Sequence, residues 1–223
     1  MNIVEYPDSE MMMIDLANRI AGDLTSALFN HDRVSLALPG GTTPGPVFDD
    51  LCDADLDWSR VDILLTDERW VPEESERSNT RLLRKRLLID RAAEANYIPL
   101  YRNSDAPEGT LDEIAASITP ILPISVLLLG MGADMHTASI FPGADRLDDA
   151  LSTKAPPVMP MRATGAPEPR ITLTAPVLAG AMTTHVVIRG EEKRRALEKA
   201  RHLPPTEAPI ALVLKNAMVH WAP

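Results

Sequence analysis

Residues 34–48 read VSLALPGGTTPGPVF. Val34 to Leu38 form an uncharged run of the kind that lies inside a covered sheet. The chain then turns through Gly40 and Gly41, and a helix is expected near Pro44, because the fixed φ of proline suits a first helical turn. A buried-type strand that passes through a short glycine turn into a helix is the repeating unit of a parallel sheet covered by helices.

The pattern continues outward from that unit. Further strands are predicted at Val61 to Leu65, Ile124 to Leu129, Ile171 to Leu173, Val186 to Ile188 and Ile210 to Leu214. A long helix is predicted from Ser9 to Phe29, capped by Asp8 or Ser9, because Met12, Leu16, Ile20, Leu24 and Leu28 recur every four residues along one face. Helices are also expected from Ser78 to Asp90, Gly109 to Ile121 and Glu191 to Ala200. The 20 prolines gather in the connections, and Pro156 to Pro169 reads as a long loop with one short strand, Val158 to Met161. No repeat, linker or low-complexity tail interrupts the 223 residues, so the chain is read as one α/β domain, 1–223, with a mostly parallel sheet between helices.

Lys and Arg number 22 against 32 Asp and Glu, a net charge of -10 that repels nucleic acid and anionic membrane alike. An anionic substrate must therefore meet a locally basic pocket. The one cysteine, Cys52, allows neither an internal disulfide nor a thiolate metal site and is expected in the core. Glu5, Asp8, Glu10 and Asp15 occupy the N-terminus where a signal peptide would be basic and then apolar, and no apolar run could span a bilayer. A cytoplasmic location is expected.

Four segments carry candidate chemistry. In PGGTTP the backbone N–H groups beside Gly40 and Gly41, with the hydroxyls of Thr42 and Thr43, suit a phosphate, although a Gly pair is equally at home in an ordinary strand-to-helix turn. In VDILLTDERWVPEESERSNTRLL, residues 61–83, Asp67, Glu68 and Arg69 stand past a strand end, where α/β sheets place ligands. A solvated loop with an internal ion pair is the alternative there, and Ser78 reads as the N-cap of the next helix. In VLLLGMGADMHTASIFPG, residues 126–143, His136 is a candidate general base with Asp134 placed to fix its tautomer, whereas a lone histidine is more often structural. His31, His185, His202 and His220 lack metal-ligand spacing to it, so no catalytic metal is expected. In residues 169–200, Arg170 opens one strand and Lys193 follows another; Lys193 is the stronger phosphate candidate, with Arg194 and Arg195 read as surface charges balanced by Glu191 and Glu192. Neither glycine loop has the spacing of a nucleotide-binding motif.

Taken in order, PGGTTP, TDERWVP followed by SN, GADMHTASIFPG, and RITLT followed by GEEK resemble the 6-phosphogluconolactonases, relatives of the glucosamine-6-phosphate deaminases. The resemblance implies a three-layer αβα, Rossmann-like fold of the sugar-phosphate isomerase type and hydrolysis of a δ-lactone in the oxidative pentose phosphate route without a cofactor. It also implies roles for particular residues. Gly40, Gly41 and Thr42 belong to a sugar-phosphate loop, Asp67 and Arg69 line the pocket, His136 activates water, and Arg170 and Lys193 help to hold the phosphate. Pro39 stands where a serine is common and Met135 where a glycine normally precedes the histidine. The loop is nonetheless expected to keep the family path, with His136 facing the pocket and Met135 in its wall or behind it. Two rivals remain: an amino-sugar-phosphate deaminase and isomerase, which needs a further carboxylate base, and a sugar-phosphate sensor without catalysis.

Overall fold

The computed structural model describes residues 1–164 and 166–223; Gly165, within the Pro156 to Pro169 loop, lies outside the described residues. The chain opens with β1 (Asn2–Glu5) and α1 (Ser9–Leu28). The Asp8 side chain accepts the Met11 N–H at 2.9 Å and caps α1, whose Met12, Leu16, Ile20 and Leu24 are buried. Next come β2 (Val34–Leu38), α2 (Gly45–Leu51), β3 (Val61–Leu65), β4 (Asp67–Arg69), α3 (Asn79–Arg86), β5 (Asn96–Ile98) and α4 (Leu111–Ile118). The second half runs β6 (Val126–Gly130), α5 (Leu147–Leu151), β7 (Val158–Met161), β8 (Arg170–Leu173), α6 (Ala175–Ala179), β9 (Thr183–Arg189), α7 (Glu191–Ala200), α8 (Ala211–Leu214) and β10 (Met218–Ala222).

Among the described residues, seven strands form a sheet in the order β1-β10-β9-β6-β2-β3-β5, every pairing parallel, while β4, β8 and β7 form a separate antiparallel sheet. All five residues of β2 and of β3 are buried, as expected for strands covered on both faces. The one hydroxyl inside β2 is matched across the sheet: Ser35 and Ser125 each accept the other's backbone N–H, at 3.0 and 3.1 Å. From β2 the chain proceeds to β3 on one side, and from β6 to β9 on the other. The carboxyl ends of β2 and β6 therefore flank the crevice where strand order reverses, the usual ligand position in such sheets.

Several expectations are corrected. Ile210 to Leu214 is not a strand: residues 211–214 form α8, and β10 takes the sheet position beside β9. A short apolar run fits a buried helix as well as a strand, and Pro209 just before it favours a helical start. Residues 171–173 are strand, but in the small antiparallel sheet, and Asp67 to Arg69, just past the end of β3, form its edge strand β4. The helix expected to reach Asp90 ends at Arg86, and the helix expected over 109–121 is the shorter α4 between two 3-10 turns, Pro107–Thr110 and Thr119–Ile121. Cys52 is buried just past α2.

Candidate active site

A hollow of about 260 Å³ opens at the carboxyl ends of β2 and β6. Gly40, Gly41 and Thr42 form one wall, Asp67, Arg69 and Arg170 another, and His136 and Lys193 face them. Residues as far apart in the chain as Gly40 and Lys193 thus meet in one place. Asp134 lies beside the hollow and reaches it through His136. A larger hollow of about 510 Å³ lies at the amino ends of the strands, but there Arg33 and Asn96 are already paired with Asp62, each at 2.7 Å.

His136 is positioned by the loop that leaves β6. The Asp134 carboxylate accepts the His136 backbone N–H at 3.2 Å and lies 2.5 Å from ring Nδ1. With Nδ1–H donated to this carboxylate, Nε2 carries the lone pair that a base needs. A Cβ on Gly132 would overlap both the imidazole and the Asp134 carboxylate, so glycine is required there. Met135 between them has φ +68°, a left-handed conformation that costs a side-chain-bearing residue about 1 kcal/mol or more. Its thioether is buried in the main apolar core and its carbonyl accepts the Ile210 N–H at 3.2 Å, contacts that hold the strained turn. Met135 therefore packs behind the hollow, while His136 lines it together with Gly40 and Gly41.

The opposite wall depends on the small sheet. Register pairs Asp67 with Thr172 and Arg69 with Arg170, which brings two guanidinium groups to the hollow. The buried Asp67 carboxylate accepts the Ser139 hydroxyl at 2.6 Å and lies 3.7 Å from Arg170 Nη1. Burial pulls the Arg170 pKa below its ordinary value, with Asp67 opposing the shift. An arginine starts so far above neutrality that Arg170 remains a cation. The Nε atoms of Arg69 and Arg170 are buried without a hydrogen-bond partner among the described residues, an arrangement suited to an incoming anion. Lys193, in the first turn of α7, is half-buried; burial lowers its pKa, while Glu192 and Asp134 oppose this. Three cations face the hollow of a chain whose net charge is -10.

Four residues with no role assigned from sequence alone also build the site. Glu68 is buried, which raises its pKa, yet its carboxylate accepts five hydrogen bonds, from the backbone N–H groups of Arg69, Asn79 and Thr80 and the hydroxyls of Ser78 and Thr80. It ties β4 to the start of α3, where a negative charge also suits the helix dipole. Asn79 donates to the Asp67 carbonyl at 3.0 Å and presses so closely on Gly40 that any Cβ there would collide. Ser139 holds Asp67, and the Phe141 ring packs on His136 with centroids 4.3 Å apart. All four stand inside segments that the sequence singles out, but nothing in their local pattern shows which partner they meet. Ser78 caps α3, accepting the Arg81 N–H at 3.1 Å. Among the described residues, no three His, Cys, Asp or Glu side chains converge as a metal site.

The sequence profile of the family described as glucosamine-6-phosphate isomerases/6-phosphogluconolactonase matches residues 7–221. A 6-phosphogluconolactonase of Rhizobium meliloti is 41% identical over 233 aligned positions, covering 100% of this chain and 98% of that protein. One from Mesorhizobium japonicum is 38% identical, over 98% of this chain and 94% of that protein. The crystal structure of a 6-phosphogluconolactonase from Shewanella baltica superposes with a TM-score of 0.95 at 33% identity, covering 100% of this chain and 97% of that one.

Proposed function

The chain belongs to the family of glucosamine-6-phosphate isomerases and 6-phosphogluconolactonases, and from that premise we propose that it hydrolyses 6-phospho-D-glucono-1,5-lactone to 6-phospho-D-gluconate with His136 as the base. The observation that carries this reading is the carboxylate-oriented imidazole facing a glycine loop and three cations across one hollow. The phosphate is held by Lys193, Arg170 and the N–H groups of the Gly40-Gly41 loop, with the Thr42 hydroxyl as a further donor. Tethering at that end brings lactone C1 to His136. Nε2 takes a proton from water as the water oxygen bonds to C1, and Asp134 stabilises the resulting imidazolium. Asp134 and His136 are both partly exposed, so that charge pair is screened and orients more than it binds. Arg69 stabilises the oxyanion at C1. When the tetrahedral centre collapses, the C1–O5 bond breaks and O5 recovers the proton from His136.

A deaminase and isomerase needs a free carboxylate base beside the sugar. Among the described residues lining the hollow, Asp67 is the one carboxylate, and it is buried and engaged by Ser139 and Arg170. The substrate is a phosphorylated intermediate of the oxidative pentose phosphate route, whose charge keeps it inside the cell; the enzyme acts in the cytoplasm as one domain spanning 1–223. No helix among the described residues is long and apolar enough to cross a membrane. The test is an assay of the purified protein with freshly generated lactone, against spontaneous hydrolysis and against glucosamine 6-phosphate. Acceleration with the lactone alone supports the reading; release of ammonia from glucosamine 6-phosphate overturns it.

A further inference from the structure

The hydrogen bond from Nδ1 to Asp134 fixes one direction of the His136 ring and leaves it free to swing about the N···O line. Asp134 cannot supply the missing restraint, because 53% of its side chain is open to solvent and water competes for its oxygens. Phe141 can. Its ring lies against the imidazole with centroids 4.3 Å apart and planes tilted by 32°, and the Arg170 Cζ stands 5.3 Å from the same ring's centre. Phe141 is itself seated on a small apolar cluster separate from the main core, formed by Ala144, Ala150, Met159 and Met161. Strand β7 and helix α5 thus support, through one aromatic ring, both the base and the cation beside it.

We propose that Phe141 is a positioning residue for lactone hydrolysis: it holds the plane of the His136 imidazole. The proposal rests on the reading of His136 as the base. An aromatic face favours a cation over a neutral group, so the ring also stabilises the imidazolium that forms as water attacks. The phosphate is also held by the glycine loop and Lys193, so loss of the ring reaches the chemical step before it reaches binding.

The experiment compares Phe141→Leu and Phe141→Tyr with the parent, each also in a His136→Asn background, with thermal unfolding of every variant followed by circular dichroism. Phe141→Leu should lower kcat by about tenfold to a hundredfold, the scale of a slightly misplaced catalytic group, and leave KM within about twofold. Phe141→Tyr keeps the face and should restore most of kcat. In the His136→Asn background, Phe141→Leu should change the residual rate by less than about twofold, because a residue that acts through the base has nothing left to act on. An equal loss in both backgrounds, a loss confined to KM, or parental kcat in a folded Phe141→Leu would overturn the proposal. Full kcat in His136→Asn would instead remove the base assignment, whatever Phe141 does, so the two failures are separable.

Discussion

Two imidazole–carboxylate pairs occur among the described residues, and they differ in what the second ring nitrogen meets. At the crevice His136 turns Nδ1 to Asp134 and its other edge to the hollow. Inside the fold His185 on β9 places Nε2 2.8 Å from Asp23 on α1 and Nδ1 3.0 Å from Nε2 of His220 on β10. His220 Nδ1 in turn lies 2.8 Å from the Tyr6 hydroxyl, which donates to Asp15 at 2.5 Å. His185 and His220 are 2% and 0% exposed and spend both nitrogens on protein partners. Burial, reinforced by His185, pushes the His220 pKa down to about 3, and burial pushes Tyr6 up to about 12. A carboxylate beside a histidine is thus no mark of catalysis by itself; a nitrogen left over in a hollow is what separates the base from the brace.

The largest expected effect tests that separation directly. His136→Asn should lower kcat by about 10²-fold to 10⁴-fold with KM near the parental value. His185→Asn should instead lower the melting temperature and leave kcat of the folded protein within about twofold. A comparable kcat loss in folded His185→Asn would break the contrast. Lys193→Ala should raise KM about tenfold or more, the scale of a hydrogen bond to a charged group, with less effect on kcat. Unchanged KM would move the phosphate site elsewhere.

The buried histidine network predicts a pH effect on stability. His220 has a folded value of about 3 against an ordinary 6.5, so the unfolded chain binds the proton first as pH falls. Its contribution to stability is complete above the unfolded value and is lost as pH drops from there towards the folded one. His220→Gln keeps a donor and an acceptor without titrating, so its melting temperature should fall less steeply than the parent's between about pH 7 and about pH 4, the window in which His220 acts. Parallel curves would assign the acid sensitivity to other groups. Within the catalytic loop, a small effect on catalysis is expected at Met135. Met135→Gly relieves the left-handed backbone but empties a buried thioether site, so kcat/KM should stay within about threefold or improve while stability falls by about 1 to 4 kcal/mol. A large loss of kcat/KM would show that the thioether itself places His136.

Much of this was legible along the chain. β2, β3, β7 and α7 occupy the residues their patterns predict, because each buries a run whose neighbours in sequence decide its period. β1, β4, β5 and β10 are not predicted: the first three are short, with 4, 3 and 3 residues, and β10 carries His220 and Trp221 in a run no longer than many loops. All nine residues given a role from the sequence lie at or directly beside one hollow, since strand-end loops in a parallel sheet converge at the switch in strand order.

Composition and local pattern settle the α/β class, the glycine turn after β2 and the loop bearing His136, because these depend on residues within a few positions of one another. Packing alone decides that Ser139 reaches Asp67 across 72 positions and that His185 joins Asp23 across 162. Such contacts are selected by which surfaces the whole fold can bury at once, and no short stretch of chain carries that information.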